Sequence, residues 1–174
     1  MRYADGPTAE CEIRIAAAPP RVWELISDIG LPARTSPELQ RVEWLDGATA
    51  PVVGARFAGH NHHPKIGEWR TVSELVAVDP GREFGWAVLD TAGRFGTPAT
   101  GPEQSLATWR FVLDAAPGGV LLRHSVRIGP GASGLSTVIA RMPDREEQLI
   151  EARLAELRKG MTAVLEGVKA LAEA

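Results

Sequence analysis

Residues 149–171 read LIEARLAELRKGMTAVLEGVKAL, and this stretch decides the fold. Its apolar residues fall at Leu149, Ile150, Leu154, Leu157, Met161, Val164, Leu165, Val168 and Leu171, the three-and-four spacing of one helical face. Between them stand Glu151, Arg153, Glu156, Arg158, Lys159, Glu166 and Lys169, a charged face suited to water. A long amphipathic helix of this kind needs an apolar surface to lie on, and most of the preceding chain reads as strands.

The first strand is expected over residues 10–16, where Glu12, Ile13, Arg14 and Ile15 alternate. Pro19-Pro20 then opens a short helix that carries Val22, Trp23 and Ile26 inward. Prolines at 32 and 37 limit the next segment to a helical turn or a loop. Six more strands are expected over residues 40–45, 55–62, 68–78, 83–89, 105–114 and 120–128. Asp46-Gly47, Asp79-Pro80-Gly81 and Ala116-Pro117-Gly118-Gly119 are turn sequences that let neighbouring strands return antiparallel. No strand–helix alternation points to a parallel sheet, so the class is α+β, with the last helix covering one face of a curved antiparallel sheet.

Composition narrows the function. The chain has 174 residues, 44% of them hydrophobic, which suits one domain over 1–174 with a substantial core. A net charge of −3 and scattered basic residues give no footprint for a phosphate backbone, so nucleic acid is not expected as a partner. Cys11 is the only cysteine, and the N-terminus shows no basic region leading into an apolar run, so a cytoplasmic location is expected. No run of about eighteen apolar residues exists, and no membrane span is expected. Monomer and homodimer both stay open.

In order, the motifs resemble the START-like, Bet v 1-like (SRPBCC) superfamily, in its polyketide cyclase/dehydrase-like branch. The resemblance covers nearly the whole chain. Its carriers are Ile13-Arg14-Ile15 leading to Ala18-Pro19-Pro20-Arg21-Val22-Trp23, then Val42-Glu43-Trp44-Leu45-Asp46-Gly47, and then residues 54–61, GARFAGHN. Asp79-Pro80-Gly81-Arg82-Glu83-Phe84, Thr108-Trp109-Arg110-Phe111 and Gly118-Gly119-Val120 complete the series. The resemblance implies a helix-grip fold, a seven-stranded sheet wrapped around the last helix with a hydrophobic cavity between them. Binding proteins, aromatases, cyclases and transfer proteins share that architecture, so the fold leaves function open.

Alternation across each strand sorts cavity-facing residues from outward ones. In the last strand Val120, Leu122, His124, Val126 and Ile128 form the inner set, because Arg123 and Arg127 belong to the other. Trp109, Phe111 and Leu113 share an inner face, as do Phe84, Trp86 and Val88. Phe57, Gly59, Asn61 and His63 oppose Arg56, Ala58, His60 and His62, so Asn61 is expected inside, and Trp69 shares a face with Thr71 and Ser73. The expected ligand-binding set is Phe57, Asn61, Trp69, Trp86, Trp109, Phe111, His124, Leu157 and Met161, with His124 and Asn61 orienting a small, largely apolar ligand.

His60 and His62 have the spacing to share a metal, yet no third or fourth ligand accompanies them and the pattern points them to solvent; no metal or other cofactor is expected. Residues 129–134 satisfy GxGxxG, but Pro130 removes a donor and no βαβ unit comes after it, so a loop into helix is expected. Asp144 followed by Glu147 reads as a capping box for the last helix; alternatively Pro143 kinks a helix that begins near Leu135. Leu135, Val138, Ile139 and Met142 read as an apolar flap beside the cavity mouth, there for packing more than for gating a ligand, and residues 93–104 as a second entrance segment.

Binding of a lipid-like or polyketide-like molecule is the leading expectation. The alternative is a cyclase or aromatase in which His124 shuttles a proton, and no catalytic residue is assigned. Tyr3, the only tyrosine, falls outside the expected walls and supplies no phenolic partner for such chemistry.

Overall fold

The computed structural model describes residues 1–35, 39–64 and 67–174; Pro37 lies outside them, as does the side chain of His63. The strands are β1 (Thr8–Ile15), β2 (Leu39–Trp44), β3 (Arg56–His63), β4 (Gly67–Asp79), β5 (Glu83–Leu89), β6 (Ala107–Ala116) and β7 (Gly119–Ile128). They form one seven-stranded antiparallel sheet in the order β1-β7-β6-β5-β4-β3-β2. Two short helices, α1 (Pro19–Ile26) and α2 (Leu31–Thr35), carry the chain from one edge of the sheet to the other. From β2 onward the strands meander back until β7 pairs with β1.

Local chemistry accounts for these elements. Pro19 and Pro20 occupy the first turn of α1, where their missing N–H groups cost nothing, and Val22, Leu25 and Ile26 are buried from it. The β2–β3 turn places Asp46 and Gly47 at φ of 54° and 75°, the left-handed conformation that Asp-Gly pairs tolerate. Along β7 burial alternates, with Val120, Leu122, His124, Val126 and Ile128 inside.

After β7 the chain differs in detail from the sequence expectation. An independent helix, α3 (Gly134–Arg141), starts at Ser133, whose hydroxyl accepts from the Ser136 amide while the Ser136 hydroxyl accepts from the Ser133 amide. Pro143 opens a short 3-10 turn, and α4 (Glu146–Glu173) comes next with no side-chain cap at Arg145, so Asp144 and Glu147 do not form the expected capping box. Ser133 supplies the cap one element earlier, where the chain leaves a loop.

The 28 residues of α4 span roughly 42 Å. Ile150, Leu154, Met161, Leu165, Val168 and Ala172 are buried from this helix. Its N-terminal half packs with Ala9, Val126 and Ile128, and with Leu135 and Ile139 of α3. Its C-terminal half packs with Ile15, Val22, Ile26, Leu113, Val120 and Leu122. Leu157 and Val164 belong to the same stripe but remain half-buried, because they cover a gap in the core.

Candidate functional site

That gap is a cavity of about 480 Å3 between α4 and the concave face of the sheet. Its aromatic wall is Phe84 and Trp86 on β5, Trp109 and Phe111 on β6, and His124 on β7. Cross-strand pairing sets these residues side by side, with Trp86 opposite Trp109 and Phe111 opposite both Phe84 and His124. Some of these rings lie close to parallel, whereas Phe84 and Phe111 are tilted by 49° and 43° against Trp86. Trp86 and Trp109 stack with centroids 6.3 Å apart and planes 11° apart, and the His124 ring lies 4.1 Å from that of Phe111 at 17°.

The facing limb of the sheet is different in character. Asn61 on β3 and Thr71 and Ser73 on β4 border the cavity, with Phe57 and Gly59. Gly59 has a steric reason to be glycine: a Cβ there would come within 2.8 Å of Thr71 Oγ1 and 3.1 Å of Leu39 Cδ1. Leu157, Met161 and Val164 of α4 close the top.

The cavity opens where its lining is exposed: Arg153, Glu156, Gly160 and Ala163 along one edge of α4, facing Asp28, Ile29 and Pro32 from the α1–α2 segment. Charges on this rim are paired. Asp28 accepts from Arg34, and Glu156 accepts from Arg153 at 3.1 Å. The expected flap is therefore misplaced. Leu135 and Ile139 pack into the core, Met142 is exposed, and none of Leu135, Val138, Ile139 and Met142 borders the cavity. Nor do residues 93–104; those of them that line a recess do so with Pro130, Gly131 and Ala132, apart from the cavity.

Of the residues singled out in the sequence, Phe57, Asn61, Trp86, Trp109, Phe111, His124, Leu157 and Met161 all border the cavity. Trp69 does not: it sits opposite Asn61 on the inward face of β4, one alternation beyond Thr71, where the lining has ended. Thr71 and Ser73 were readable by alternation from Trp69. Gly160 was not singled out in the sequence; a glycine inside a helical stretch is the signal that could have marked the α4 edge of the mouth. His60 faces outward and its Nε2 lies 2.8 Å from Glu43 Oε1. That contact, together with Arg41, holds the Glu43 carboxyl below the usual carboxylate range. His62 is exposed, and no metal-binding cluster occurs among the described residues.

His124 is 3% exposed. Its Nδ1 lies 3.1 Å from the Arg110 carbonyl oxygen, which can only accept. Loss of solvation on burial lowers its pKa from 6.5 to about 4, with the Arg110 carbonyl opposing, so the ring is neutral near pH 7. Tyr3 lies elsewhere, its hydroxyl bonded to the Gly131 carbonyl at 2.7 Å and 2.9 Å from Ser133 Oγ.

A curved antiparallel sheet gripping a C-terminal helix around an aromatic-lined cavity defines the helix-grip class. A family model described as polyketide cyclase/dehydrase and lipid transport matches residues 7–173, and the chain belongs to that family, within the START-like, Bet v 1-like superfamily. Among solved structures it is similar to a Polyketide_cyc-like protein of Corynebacterium glutamicum, at 29% identity and a TM-score of 0.64 over 93% of this chain and 88% of that one. The aromatase/cyclase Zhui from a Streptomyces species is 21% identical, with a TM-score of 0.63 over 96% and 93% of the two chains. Ara h 8.0201 is 14% identical, with a TM-score of 0.59 over 94% and 95%. No curated protein matches the sequence. Among the described residues no helix is long and apolar enough to cross a membrane.

Proposed function

We propose that the chain acts as one ligand-binding domain that holds a small, largely apolar molecule between the sheet and α4. The observation that carries this reading is unfilled space, about 480 Å3, walled by Trp86, Trp109 and Phe111 in an interior that is otherwise packed. Cavities of roughly 300–1,000 Å3 with apolar walls and few polar groups are typical of small-molecule sites. At about 0.3 kcal/mol per non-hydrogen atom, a ligand of roughly 20 such atoms gains about 6 kcal/mol, a dissociation constant of tens of micromolar. Membership of a family described by lipid transport as well as cyclisation supports the same reading.

The cyclase alternative rests on the cavity folding a poly-β-ketone into a reactive conformer. Acid–base chemistry is the weaker part of that case. An imidazole whose pKa is pushed down to about 4 is a poor match for proton transfer near neutrality, and Tyr3 is not on the cavity wall.

Native mass spectrometry of freshly purified protein, joined to quenching of tryptophan emission by flat aromatic probes, tests the proposal. A retained apolar molecule or saturable quenching at one probe per chain supports binding. Neither a retained molecule nor saturable quenching by any probe would overturn it. Turnover of a poly-β-ketone surrogate would establish the enzyme reading instead.

A further inference from the structure

How the polar atoms of the cavity are committed restricts what its occupant must offer; this step rests on the binding function proposed above. Because the Arg110 carbonyl takes a hydrogen from His124 Nδ1, the neutral ring carries its lone pair on Nε2. Nε2 has no protein partner among the described residues. Every fully buried side-chain nitrogen and oxygen of the described residues is bonded, so an unbonded Nε2 is not sealed into the wall. It opens on the cavity that His124 lines. Phe111 against the ring and the Arg110 carbonyl beyond Nδ1 keep the imidazole from turning over to present an N–H instead.

Among the described residues the rest of the interior lacks positive charge. The buried polar residues are Ser73, Ser105 and His124, none of them a cation near pH 7. Arg153 is the arginine on the lining, and it stands at the exposed rim, paired with Glu156. A carboxylate pushed to the aromatic wall would lose its water, meet no cation and face a lone pair. A hydroxyl reaching the same place would find its acceptor ready.

We propose that His124 Nε2 is a fixed hydrogen-bond acceptor that makes the cavity selective for neutral, flat, apolar molecules bearing a hydroxyl or N–H donor at their buried end, and against carboxylates of the same shape. His124 is then a specificity-determining residue, and the ligand class is phenol-like or alcohol-like. Selection acts through hydrogen-bond polarity and needs no change of charge on the protein.

Three probes of one ring system separate the outcomes: 2-naphthol, 2-methoxynaphthalene and 2-naphthoate, titrated by tryptophan quenching into wild-type protein and His124→Phe. Wild type is expected to hold 2-naphthol about tenfold more tightly than 2-methoxynaphthalene, and 2-naphthoate more weakly than either. His124→Phe, which keeps a ring beside Phe111, is expected to bind both neutral probes with a ratio near one. Equal binding of the two neutral probes by wild type, or a preference that survives in His124→Phe, overturns the acceptor role while leaving the binding function standing. No binding of any of the three probes overturns the selectivity, and if native mass spectrometry also finds no retained molecule the binding function falls with it. The wild-type protein supplies a check that needs no substitution: in the nitrogen-15 spectrum of the histidines, His124 Nε2 is expected as an unprotonated nitrogen that shifts on addition of 2-naphthol but not of 2-methoxynaphthalene. A proton on Nε2 in the free protein would overturn the proposal.

Discussion

Trp86 and Trp109, paired across β5 and β6, stack at 6.3 Å with their planes 11° apart, and both border the cavity. Phe84, next on the inner face of β5, also borders it but is only 2% exposed and takes the edge of Trp23 at 6.3 Å and 80°. Neighbours on one strand thus differ in how much of their surface the protein itself covers.

That difference predicts a split between stability and binding. Phe84→Ala is expected to cost about 3–4 kcal/mol, the usual penalty for emptying a packed ring site. Trp86→Ala is expected to cost less, since Trp86 is only half-buried, and to weaken probe binding more per unit of lost stability. Urea unfolding and naphthol titration of both variants check this; an equal loss of stability in the two would mean that the wall is filled from within.

Burial of His124 ties stability to pH. In the unfolded chain its imidazole titrates near 6.5, in the fold at about 4. Between these values the unfolded state takes up a proton that the folded state refuses, so stability falls as pH drops below about 6.5 and this loss levels off under about 4, with ~3 kcal/mol lost in all. Above that window the group contributes no slope. Urea midpoints at about pH 7 and about pH 5 should converge more for His124→Phe than for wild type. Identical slopes in the two proteins would assign the acid sensitivity to other groups.

The fold was legible because each signal was local. Alternation along residues 120–128 put His124 inside, and the helical stripe from Leu149 announced a covered sheet face. The extent of the cavity was not legible, since it depends on where a bent sheet parts from the helix. Trp69 shows this: alternation placed it on the inward face of β4, but nothing in the sequence says that the lining stops at Thr71. The mouth was misread for a related reason. An apolar stripe such as Leu135 and Ile139 shows that a face is packed, which it is, but not against what, and it lies on the core and not beside the mouth. His124's commitment to the Arg110 carbonyl depends on cross-strand placement, which local sequence does not display.

One backbone approach predicts a position intolerant of any side chain. A Cβ at Gly119, the first residue of β7, would stand 2.0 Å from the Ile15 carbonyl oxygen at the end of β1. Gly119→Ala must therefore push the two strands apart at this edge of the sheet, at a cost on the order of 3 kcal/mol. Gly118 next to it has φ of 76° but open space around its Cβ position. Gly118→Ala is expected to cost about 1 kcal/mol, from backbone strain alone. Thermal melts of the two variants give the order, and a milder effect at Gly119 would show that β1 yields easily.

Gly160 separates helix stability from access to the cavity. A glycine inside a helix costs about 1 kcal/mol relative to alanine, so its presence in α4 calls for a reason. Packing supplies none, because a Cβ at Gly160 meets no heavy atom within 4 Å, and the residue is exposed on the rim of the cavity. Gly160→Ala is expected to stabilise the fold by up to about 1 kcal/mol, a rise in Tm of roughly 2–4 °C for a chain of this size. Gly160→Phe should leave the fold near wild-type stability, since the added ring has room, but set that ring over the opening and slow or block uptake of 2-naphthol. Stopped-flow quenching beside a thermal melt reads both quantities on one sample. Unchanged uptake in Gly160→Phe would mean that ligands enter by another route, past Asn61 at the β3–β4 end of the cavity, and the glycine would then be a stability cost with no bearing on access.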